Sequence, residues 1–456
     1  MEVRERDGVL VVAFPVQGHM TPLLQFSKRL ASKGLSPTFA LTLFLTKSNP
    51  SPPSSVRFAT FSDGADDTGF AHAPDAAAYL SGFRAEGSRT LADLIRANQI
   101  ATSGRPPFRC IIYDSFLPWV LDVAREFGLP AAAFFTQSCA VDWVYYWAYR
   151  GAIRSPVPSS VSLPGMPEMA HGDLPSLVTV PESYPMFSEM LLNQFCNSDE
   201  ADWLLVNSFY ELEKEVVDSM SKVSPLMTIG PTVPSFYLDN RVQNDSDYDF
   251  NLYNLDSDSC THWLDTKSKN SVVYVAFGSM VSLQKEQMDE IAWGLKRSNS
   301  YFLWIVRKSE EDKLPENFIE ETSEKGLVVN WCPQLRVLSN PAVGCFFTHC
   351  GWNSTMEALS LGVPMVGMPQ WTDQPTNAKF IADVWKVGVQ VKVDEESGII
   401  GREEVERCVR EVMEGERGKE MKRNAEKWRD LTKEAVSEGG SSDKNIDDFV
   451  HKILGS

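Results

Sequence analysis

The sequence predicts an α/β fold in which two domains each contain a doubly wound parallel sheet. The chain has 456 residues, which is long for one hydrophobic core and suits two. Short apolar runs alternate with stretches of helical periodicity along both halves. A break in composition at residues 235–259, rich in aspartate, separates the two halves, and we interpret it as a linker.

Twelve short apolar runs predict the strands. They cover residues 9–14, 38–45, 56–61, 110–113, 131–135 and 203–207 in the first half, and residues 272–277, 302–306, 327–330, 344–348, 363–369 and 387–393 in the second. The runs are continuous rather than alternating, which is typical of strands buried on both faces of a sheet. Residues 288–295 carry apolar side chains at helical spacing. From residue 419 onward we expect a charged helix, a break at residues 439–441 and a last amphipathic helix.

The composition excludes several classes of function. The net charge of −18 argues against a nucleic-acid partner, because nucleic-acid binders present a basic surface. The eight cysteines include no CxxC spacing, so we expect reduced core residues rather than a zinc ribbon, a redox motif or a disulfide frame. The first apolar run ends at Pro15 and predicts a strand rather than a signal peptide. No run reaches the roughly 18 residues of a membrane span, so we expect a cytoplasmic protein.

The aspartates of the break form closely spaced pairs, at residues 245 and 247, 247 and 249, and 256 and 258. Paired carboxylates can hold a divalent metal against a diphosphate. No buried strand leads into these pairs, so we favour a solvated acidic loop and expect no metal site.

Residues 349–354 form the turn between the strand predicted at 344–348 and a helix predicted at 354–361, which Gly362 would end. A helix N-terminus that follows a parallel strand offers N–H groups and the positive end of the helix dipole to an anion. This turn therefore predicts a phosphate site.

The side chains of the turn support that prediction. Gly351 lets the backbone come close to a ligand, and His349, Asn353 and Ser354 add donors that two phosphates can use. A local alternative is a capping box between Ser354 and Glu357. That alternative leaves the neighbouring histidine and amide unexplained.

A second glycine turn follows the strand predicted at 272–277. Residues 277–280 read Phe-Gly-Ser-Met, and the Ser279 hydroxyl could bond a phosphate, although a plain turn is the alternative. The chain has neither GxGxxG nor GxxxxGK followed by Ser or Thr, so neither a nicotinamide oxidoreductase nor a P-loop enzyme is supported.

His19 and Asp114 each follow a predicted strand. His19 comes just before a helix predicted at 21–33, so it faces the carboxyl end of the sheet, where ligands of α/β proteins bind. Taken alone, the histidine could be a cap or loop residue and the aspartate a turn residue.

The stretch 331–374 resembles the signature box of plant family 1 UDP-glycosyltransferases. The motifs W-x-P-Q, A-V-G-x-F-x-T-H-C-G-W-N-S, E-x-x-x-x-G-V-P and D-Q stand at family spacing. The similarity continues through PVQGHMTPLLQF, YDSFLPW, FFTQSCAV, VNSFYELE, IGPTVPSFYLD and EGGSSDKNI, several of which resemble the family 74 subgroup.

The resemblance implies the GT-B fold, in which two Rossmann-like domains with parallel sheets face each other across a cleft. Residues 1–238 would bind the acceptor, residues 239–259 would be the linker, and residues 260–440 would bind the UDP-sugar. The last helix, at 441–456, would return to the first domain.

The resemblance also implies donor contacts. Uracil would stack on Trp331 and pair with the backbone of Cys332, and the ribose hydroxyls would bind Glu357. The other implied donor-binding residues are Gln334 in W-x-P-Q, Thr136 near the sugar and phosphate, Ser279, His349, Gly351, Asn353 and Ser354 at the diphosphate, and Trp352, Asp373 and Gln374 at the sugar hydroxyls. Gln374 favours glucose over galactose. Asn340 stands where the family usually has His, at a position with no assigned donor contact.

His19 and Asp114 become a catalytic pair under the resemblance. A hydroxyl is a poor nucleophile, so His19 would take its proton as general base while Asp114 orients the imidazole and stabilises its charged form. We expect in-line attack on the anomeric carbon with inversion, which gives a β-glucoside and UDP. UDP-glucose would be a co-substrate, and we expect no cofactor and no metal, because the helix N-terminus and His349 would stabilise the leaving diphosphate.

The sequence leaves the acceptor open. Candidates for the wall of its pocket, with ordinary core packing as the alternative, are Phe116, Trp119, Trp143, Tyr146, Trp147, Met186, Phe187, Met190 and Phe195. An apolar, aromatic wall suits a phenolic, terpenoid, steroid or mycotoxin-like molecule, and the subgroup resemblance also admits small carboxylic acids. We expect a monomer.

Two other functions stay open. A non-catalytic sugar-nucleotide or small-molecule binding protein would keep Trp331 and Glu357 but has no need of His19 with Asp114. A metal-dependent GT-A-type transferase would use the linker aspartates.

Overall fold

The computed structural model describes residues 7–47, 55–70, 76–100, 107–242, 245 and 257–455. The chain divides into two compact units. The first unit comprises Met1–His171, Leu177–Leu252 and Lys433–Ser456, and the second comprises Gly172–Ser176 and Tyr253–Thr432. Each unit contains one large parallel sheet, as the sequence predicts.

The first unit contains β1 (Gly8–Val12), β2 (Ser36–Thr42), β3 (Arg57–Phe61), β4 (Phe108–Asp114), β5 (Ala131–Phe135), β6 (Ser160–Val161), β7 (Met169–Ala170), β8 (Trp203–Val206) and β9 (Met227–Thr228). Seven of these strands form the parallel sheet, in the order β3-β2-β1-β4-β5-β8-β9. The other two, β6 and β7, pair antiparallel as a separate ribbon.

The second unit contains β10 (Val272–Ala276), β11 (Tyr301–Ile305), β12 (Gly326–Val329), β13 (Val343–Thr348), β14 (Met365–Gly367) and β15 (Gly388–Gln390). They form a six-stranded parallel sheet in the order β12-β11-β10-β13-β14-β15. The central strands β10 and β13 are buried along their whole length, as continuous apolar runs predict.

The helices along the chain are α1 (Gln17–Ser32), α2 (Leu43–Thr46), α3 (Ala76–Ile100), α4 (Trp119–Glu126), α5 (Cys139–Tyr149), α6 (Ser176–Thr179), α7 (Pro185–Asn193), α8 (Lys214–Met220), α9 (Ser257–Asp265), α10 (Lys285–Ser298), α11 (Phe318–Glu321), α12 (Gln334–Leu338), α13 (Trp352–Leu361), α14 (Gln374–Lys379), α15 (Arg402–Met413), α16 (Gly415–Val436) and α17 (Ser441–Gly455). The predicted charged helix, break and last helix correspond to α16, residues 437–440 and α17.

All twelve predicted strands are present, but several of their predicted ends are wrong. β2 stops at Thr42, where α2 begins, and β14 and β15 are three residues long. Beyond β15, Val391 is buried and its N–H still donates to the Gly367 carbonyl at 3.0 Å, whereas Val393, the last residue of the predicted run, is 54% exposed.

Two predicted helix starts are also wrong. α1 begins at Gln17 rather than residue 21, so His19 lies inside its first turn and Pro22 lies within the helix. α13 begins at Trp352 rather than Ser354, with Gly351 as its N-cap, and ends as predicted at Gly362 in the left-handed region. Both errors place polar site residues inside a first helical turn.

The last helix completes the core of the first unit. The apolar face of α17 contributes Phe449, which is fully buried, and its ring packs edge-on against Trp203 at a centroid distance of 5.2 Å. Lys33, the C-cap of α1, forms salt bridges with Asp443 and Asp447 of α17, with N–O distances of 2.7 and 2.6 Å. The C-terminal segment is therefore part of the same hydrophobic core as α1.

Part of the acidic break is buried rather than solvated. Asp245 accepts from Lys28 Nζ at 2.9 Å and from the Ser235 amide at 2.6 Å, and Arg29 binds Asp239 through both guanidinium nitrogens. The expectation of a solvated loop is wrong for Asp245, because Lys28 of α1 neutralises it inside the fold. Residues 247, 249 and 256 lie outside the described residues.

All eight cysteines lie in the described ranges, where no disulfide joins any two of them, and all but Cys196 are buried. This confirms the expectation of reduced core residues for the seven buried cysteines, and the expectation of a core position is wrong for Cys196. Within the same ranges, no helix combines the length and the apolar composition that a bilayer crossing requires.

Candidate active site

Three predicted site residues of the first unit lie at the carboxyl ends of neighbouring strands. β1 leads into the first turn of α1, which carries His19, β4 ends at Asp114, and Thr136 follows β5 directly. The strands β1, β4 and β5 are adjacent in the sheet. Since their carboxyl ends meet at one edge, the three side chains converge there.

His19 and Asp114 form a hydrogen-bonded pair. His19 Nδ1 lies 2.8 Å from Asp114 Oδ2, and Thr136 Oγ1 lies 3.3 Å from the same ring nitrogen. The Asp114 side chain is fully buried, while that of His19 is 15% exposed. An ionised carboxylate accepts and does not donate, so the contact holds the proton on Nδ1 and leaves Nε2 able to accept one.

Backbone amides fix the Asp114 carboxylate in turn. The Phe14 N–H donates to Oδ2 at 3.2 Å, and the Phe116 N–H donates to Oδ1 at 3.1 Å. The imidazole of His19 packs against both phenyl rings, with centroid distances of 5.7 Å to Phe14 and 4.4 Å to Phe116. The ring is thus oriented within the protein itself, as a general base requires.

Among the candidates for the acceptor wall, Phe116 contacts His19, with ring centroids 4.4 Å apart. Trp119, by contrast, is 7% exposed and packs edge-on against Phe83 at 5.6 Å. A Cβ on Gly87 would lie 2.9 Å from the Trp119 ring. The packing of Trp119 is that of a core residue, which is the alternative considered for this set.

A second group of candidates forms an aromatic cluster on and beside α5. Trp143 stacks on Tyr146 at 5.3 Å, and Trp147 packs edge-on against both rings. Phe195 joins the cluster through Tyr146 at 5.8 Å and stacks on Phe135, at the end of β5, at 5.6 Å. The cluster therefore reaches from α5 to the same edge of the sheet that carries Thr136.

A buried amide that the sequence analysis missed lies next to this cluster. Gln194 is 2% exposed, and its Oε1 accepts from Ser115 Oγ at 2.9 Å. Its Nε2 has no hydrogen-bond partner in the described part of the chain. The candidates Met186 and Phe187 are half-buried on α7, which precedes it and packs against α5.

Glu213, also missed, holds the start of α5. Its carboxylate accepts from the Cys139 amide at 3.0 Å and the Ala140 amide at 2.8 Å, and from the Ser208 hydroxyl. Burial raises the pKa of this carboxyl group. The aromatic cluster on α5 is thus anchored by a polar residue more than 70 positions away in the sequence.

In the second unit, two glycine turns meet around one histidine. β10 leads to Gly278, which has φ +74°, and the adjacent strand β13 leads to His349 and Gly351. A Cβ on Gly278 would lie 2.7 Å from His349 Nε2, and one on Gly351 would lie 2.5 Å from it. Both positions therefore require glycine to leave room for the imidazole. Because both glycines lie against the same ring, the two predicted phosphate turns are neighbours.

Two cationic side chains bind the loop that follows Gly278. The Arg307 guanidinium donates to the backbone carbonyls of Ser279 and Val281. Lys313 donates to the Ser282 hydroxyl at 2.8 Å and to the Leu283 carbonyl at 2.9 Å. These contacts fix the backbone that carries the predicted Ser279 donor.

His349 is a neutral donor rather than a cation. Burial lowers the pKa of its imidazole to about 4. Nδ1 has no hydrogen-bond partner among the described residues. The ring can therefore offer one N–H to an anion without a change of charge.

The capping box between Ser354 and Glu357 does not form. Ser354 is the third residue of α13, whose N-cap Gly351 supplies no side-chain bond. Instead, Gln334 Nε2 donates to Ser354 Oγ at 2.9 Å and to Glu357 Oε2 at 2.6 Å. Gln334 thus joins two predicted donor-binding residues of α13, whose N-terminus is the positive end of the helix dipole.

The remaining box residues lie around these elements. Trp331 is half-buried shortly after β12, and the next residue, Cys332, is buried. Asn353 is half-buried in the first turn of α13, and the indole of Trp352 packs against Trp385 at 6.1 Å. The side-chain amide of Asn340 donates to Oδ1 of Asp265, the last residue of α9, at 2.9 Å.

Asp373 and Gln374 follow β14. Burial raises the pKa of Asp373, whose carboxylate accepts from Thr372 Oγ1 and from Asn377 Nδ2. Gln374 Oε1 accepts from the amides of residues 370 and 371, at 2.8 and 3.2 Å. With its oxygen engaged by backbone, the amide of Gln374 has its nitrogen as the group suited to donate to a sugar hydroxyl.

Comparison with known proteins identifies the class. A family model described as UDP-glucoronosyl and UDP-glucosyl transferase matches residues 160–433. The chain is 54% identical to UDP-glycosyltransferase 74F2 of Arabidopsis thaliana over 98% of this chain and 99% of the relative. It is also 54% identical to flavonol 7-O-beta-glucosyltransferase UGT74F1 of the same plant, over 98% of each chain.

The chain belongs to the UDP-glycosyltransferase family and is a transferase enzyme. Its fold is GT-B, as in Os79 of O. sativa in complex with UDP, which is 42% identical with a TM-score of 0.90 over 98% of this chain and 100% of that chain. A second structure of Os79 contains U2F and trichothecene, with 41% identity and a TM-score of 0.88 over the same shares. The resemblance to the family 74 subgroup is confirmed by the relatives.

We predict that His349 makes the second unit sensitive to acid. Because burial lowers its pKa from the usual 6.5 to about 4, the folded state favours the neutral ring. That stabilisation is complete above pH 6.5 and is lost as the pH falls toward 4, up to about 3 kcal/mol. Replacing His349 by Gln should therefore flatten the fall in unfolding free energy between pH 6.5 and 4, measured by thermal unfolding.

The exposed His262, on α9 of the same unit, gives the matched control, and His262→Gln should keep the wild-type pH dependence. If the unfolding free energy of wild type and of His349→Gln falls equally between pH 6.5 and 4, the fold does not hold the ring neutral.

Proposed function

We propose that the chain is an inverting, UDP-glucose-dependent glucosyltransferase. It transfers a β-glucosyl group to a hydroxyl or carboxyl group of a small apolar plant metabolite or xenobiotic. The observation that carries the proposal is the contact of 2.8 Å between His19 Nδ1 and the buried carboxylate of Asp114. A protein that only binds sugar nucleotides has no use for a histidine oriented in this way.

The chemistry follows from the orientation of that ring. His19 Nε2 takes the proton of the acceptor hydroxyl as the acceptor oxygen attacks the anomeric carbon of UDP-glucose. The new carbon–oxygen bond forms on the face opposite the diphosphate, whose bond breaks and leaves its electron pair on UDP. Asp114 stabilises the imidazolium that results, and the proton then passes to solvent. Inversion at the anomeric carbon gives the β-glucoside.

The second unit supplies the groups for the donor. The diphosphate is assigned to the N-terminus of α13, the Ser279 loop and the neutral N–H of His349, which act as fixed dipoles on the leaving group. Uracil is assigned to Trp331 and the backbone of Cys332, ribose to Glu357, and the sugar to Asp373 and Gln374. Thr136, implied to lie near the sugar and phosphate, belongs to the first unit and contacts His19.

The acceptor class is supported by two observations. The cluster on α5 offers flat apolar surfaces, with one buried amide, Gln194, whose nitrogen can donate to an oxygen of the acceptor. The relatives include a protein named as a flavonol glucosyltransferase, and the similar Os79 binds a trichothecene. A monomeric state and a cytoplasmic location stay predictions from the sequence.

We expect His19→Ala to reduce turnover of a phenolic acceptor by about 10²–10⁴-fold, because a positioned base contributes roughly that factor. Turnover is measured as UDP release from UDP-glucose, with NMR of the glucoside, and UDP affinity should stay at the wild-type value. The exposed His451 gives the control, and His451→Ala should keep full turnover.

A carboxylic acid acceptor should be far less sensitive to His19→Ala, because its carboxylate is already ionised. Wild-type turnover of a phenol by His19→Ala, or an α-anomeric product from the wild type, would contradict the proposed mechanism.

We also expect excess EDTA to leave turnover unchanged, because fixed protein dipoles rather than a metal are proposed to stabilise the leaving diphosphate. The measurement is the UDP-release rate before and after EDTA treatment. Loss of activity that Mg²⁺ or Mn²⁺ restores would contradict this proposal and favour the metal-dependent alternative.

A further inference from the structure

Tyr274 lies in the middle of β10, where the surrounding residues are aliphatic, and it is 1% exposed. Its ring stacks on Phe346 of β13 at a centroid distance of 5.0 Å and an interplanar angle of 20°. The two residues are also partners in the strand register. The ring position is therefore fixed by the sheet, and with it the position of the hydroxyl.

The hydroxyl of Tyr274 is directed at the donor-binding residues. It donates to Gln334 Oε1 at 3.2 Å, and its oxygen lies 3.6 Å from Cys332 Sγ. Burial raises the pKa of Tyr274 well above its usual range, so the hydroxyl keeps the proton that it donates.

The orientation of the Gln334 amide matters because its two ends differ. Nε2 donates to Ser354 Oγ at 2.9 Å and to Glu357 Oε2 at 2.6 Å. A flipped amide would point its oxygen at the Glu357 carboxylate, and two acceptors would then face each other. In the observed orientation, the Tyr274 hydroxyl donates a hydrogen bond to Gln334 Oε1 and so opposes the flip.

The same amide sets the state of its partners. A lone pair of Ser354 Oγ is used by Gln334, so the serine hydroxyl proton is available in another direction, toward an anion. The Glu357 carboxylate is 3% exposed and is held by the amide on one oxygen. Both effects require that the amide nitrogen face α13.

We propose that Tyr274 is a positioning residue for recognition of the donor ribose: its hydroxyl fixes the Gln334 amide, which fixes the Glu357 carboxylate for the ribose hydroxyls. The inference rests on the proposed function, which assigns Glu357 to the ribose. It predicts a loss of affinity that depends on whether the ligand carries ribose hydroxyls, which a loss of general packing would not produce.

The test compares binding of UDP and of 2′,3′-dideoxy-UDP by calorimetry. For Tyr274→Phe we expect the preference for UDP over the dideoxy ligand to fall about three- to tenfold, the range for one buried hydrogen bond. The phenylalanine keeps the ring and its stacking. Tyr301→Phe, on the neighbouring strand β11, removes a hydroxyl outside this network and should leave the preference unchanged.

Glu357→Ala tests the ribose assignment separately from the role of Tyr274. It should reduce the preference for UDP over 2′,3′-dideoxy-UDP at least as much as Tyr274→Phe does. If Glu357→Ala changes the preference and Tyr274→Phe does not, or if Tyr274→Phe weakens both ligands by the same factor, the role of Tyr274 is overturned and the ribose assignment stands. If Glu357→Ala leaves the preference unchanged, the ribose assignment itself is wrong, and the role of Tyr274 falls with it.

Discussion

The chemistry proposed for the first unit depends on one buried carboxylate. Asp114 ends a central strand, and its two oxygens accept from a backbone amide near the end of β1, from the amide of Phe116 and from His19. Water is excluded from it, so the three donors are its means of stabilisation. The same bonds that satisfy the carboxylate therefore orient the imidazole and decide which nitrogen carries its proton. In the proposed mechanism, the contacts that stabilise the carboxylate are also the contacts that orient the base.

In the second unit, a neutral imidazole and a side-chain amide lie at the two predicted phosphate turns. The glycine turns after β10 and β13 leave room for an imidazole that burial keeps neutral. Gln334 then links the first turn of α13 to Glu357. A preorganised set of dipoles around a diphosphate needs no reorganisation as negative charge develops on the leaving group. This suits the proposed transfer from a charged UDP-sugar to an apolar acceptor.

Much of the fold could be predicted from the sequence because strands buried on both faces produce continuous apolar runs. The starts of α1 and α13 could not be predicted in the same way. Pro22 lies within α1 rather than at its first turn, and the N-cap of α13 is Gly351, which has no side chain to form a cap. The motifs located His19, Asp114 and the box of residues 331–374. Three buried polar residues near them, Gln194, Glu213 and Tyr274, escaped prediction because each contacts a residue 60 or more positions away.

The residues of the acceptor wall could not be predicted from the sequence for a different reason. Aromatic residues line pockets and fill cores alike, so composition could not separate Phe116, which contacts His19, from Trp119, which packs against Phe83. Only the packing distinguishes them. A signal was nevertheless present for Tyr274, because a polar-tipped aromatic residue interrupts an aliphatic strand next to a predicted phosphate turn.

The central claim is that Asp114 holds the proton of His19 on Nδ1 and leaves Nε2 as the base. Nitrogen-15 NMR of histidine-labelled protein near neutral pH reports this directly, with His19 assigned by the resonances lost in His19→Gln. We expect Nδ1 of neutral His19 to show the shift of a protonated ring nitrogen and Nε2 that of an unprotonated one. The opposite assignment, or averaged shifts typical of an exposed histidine, would contradict the account.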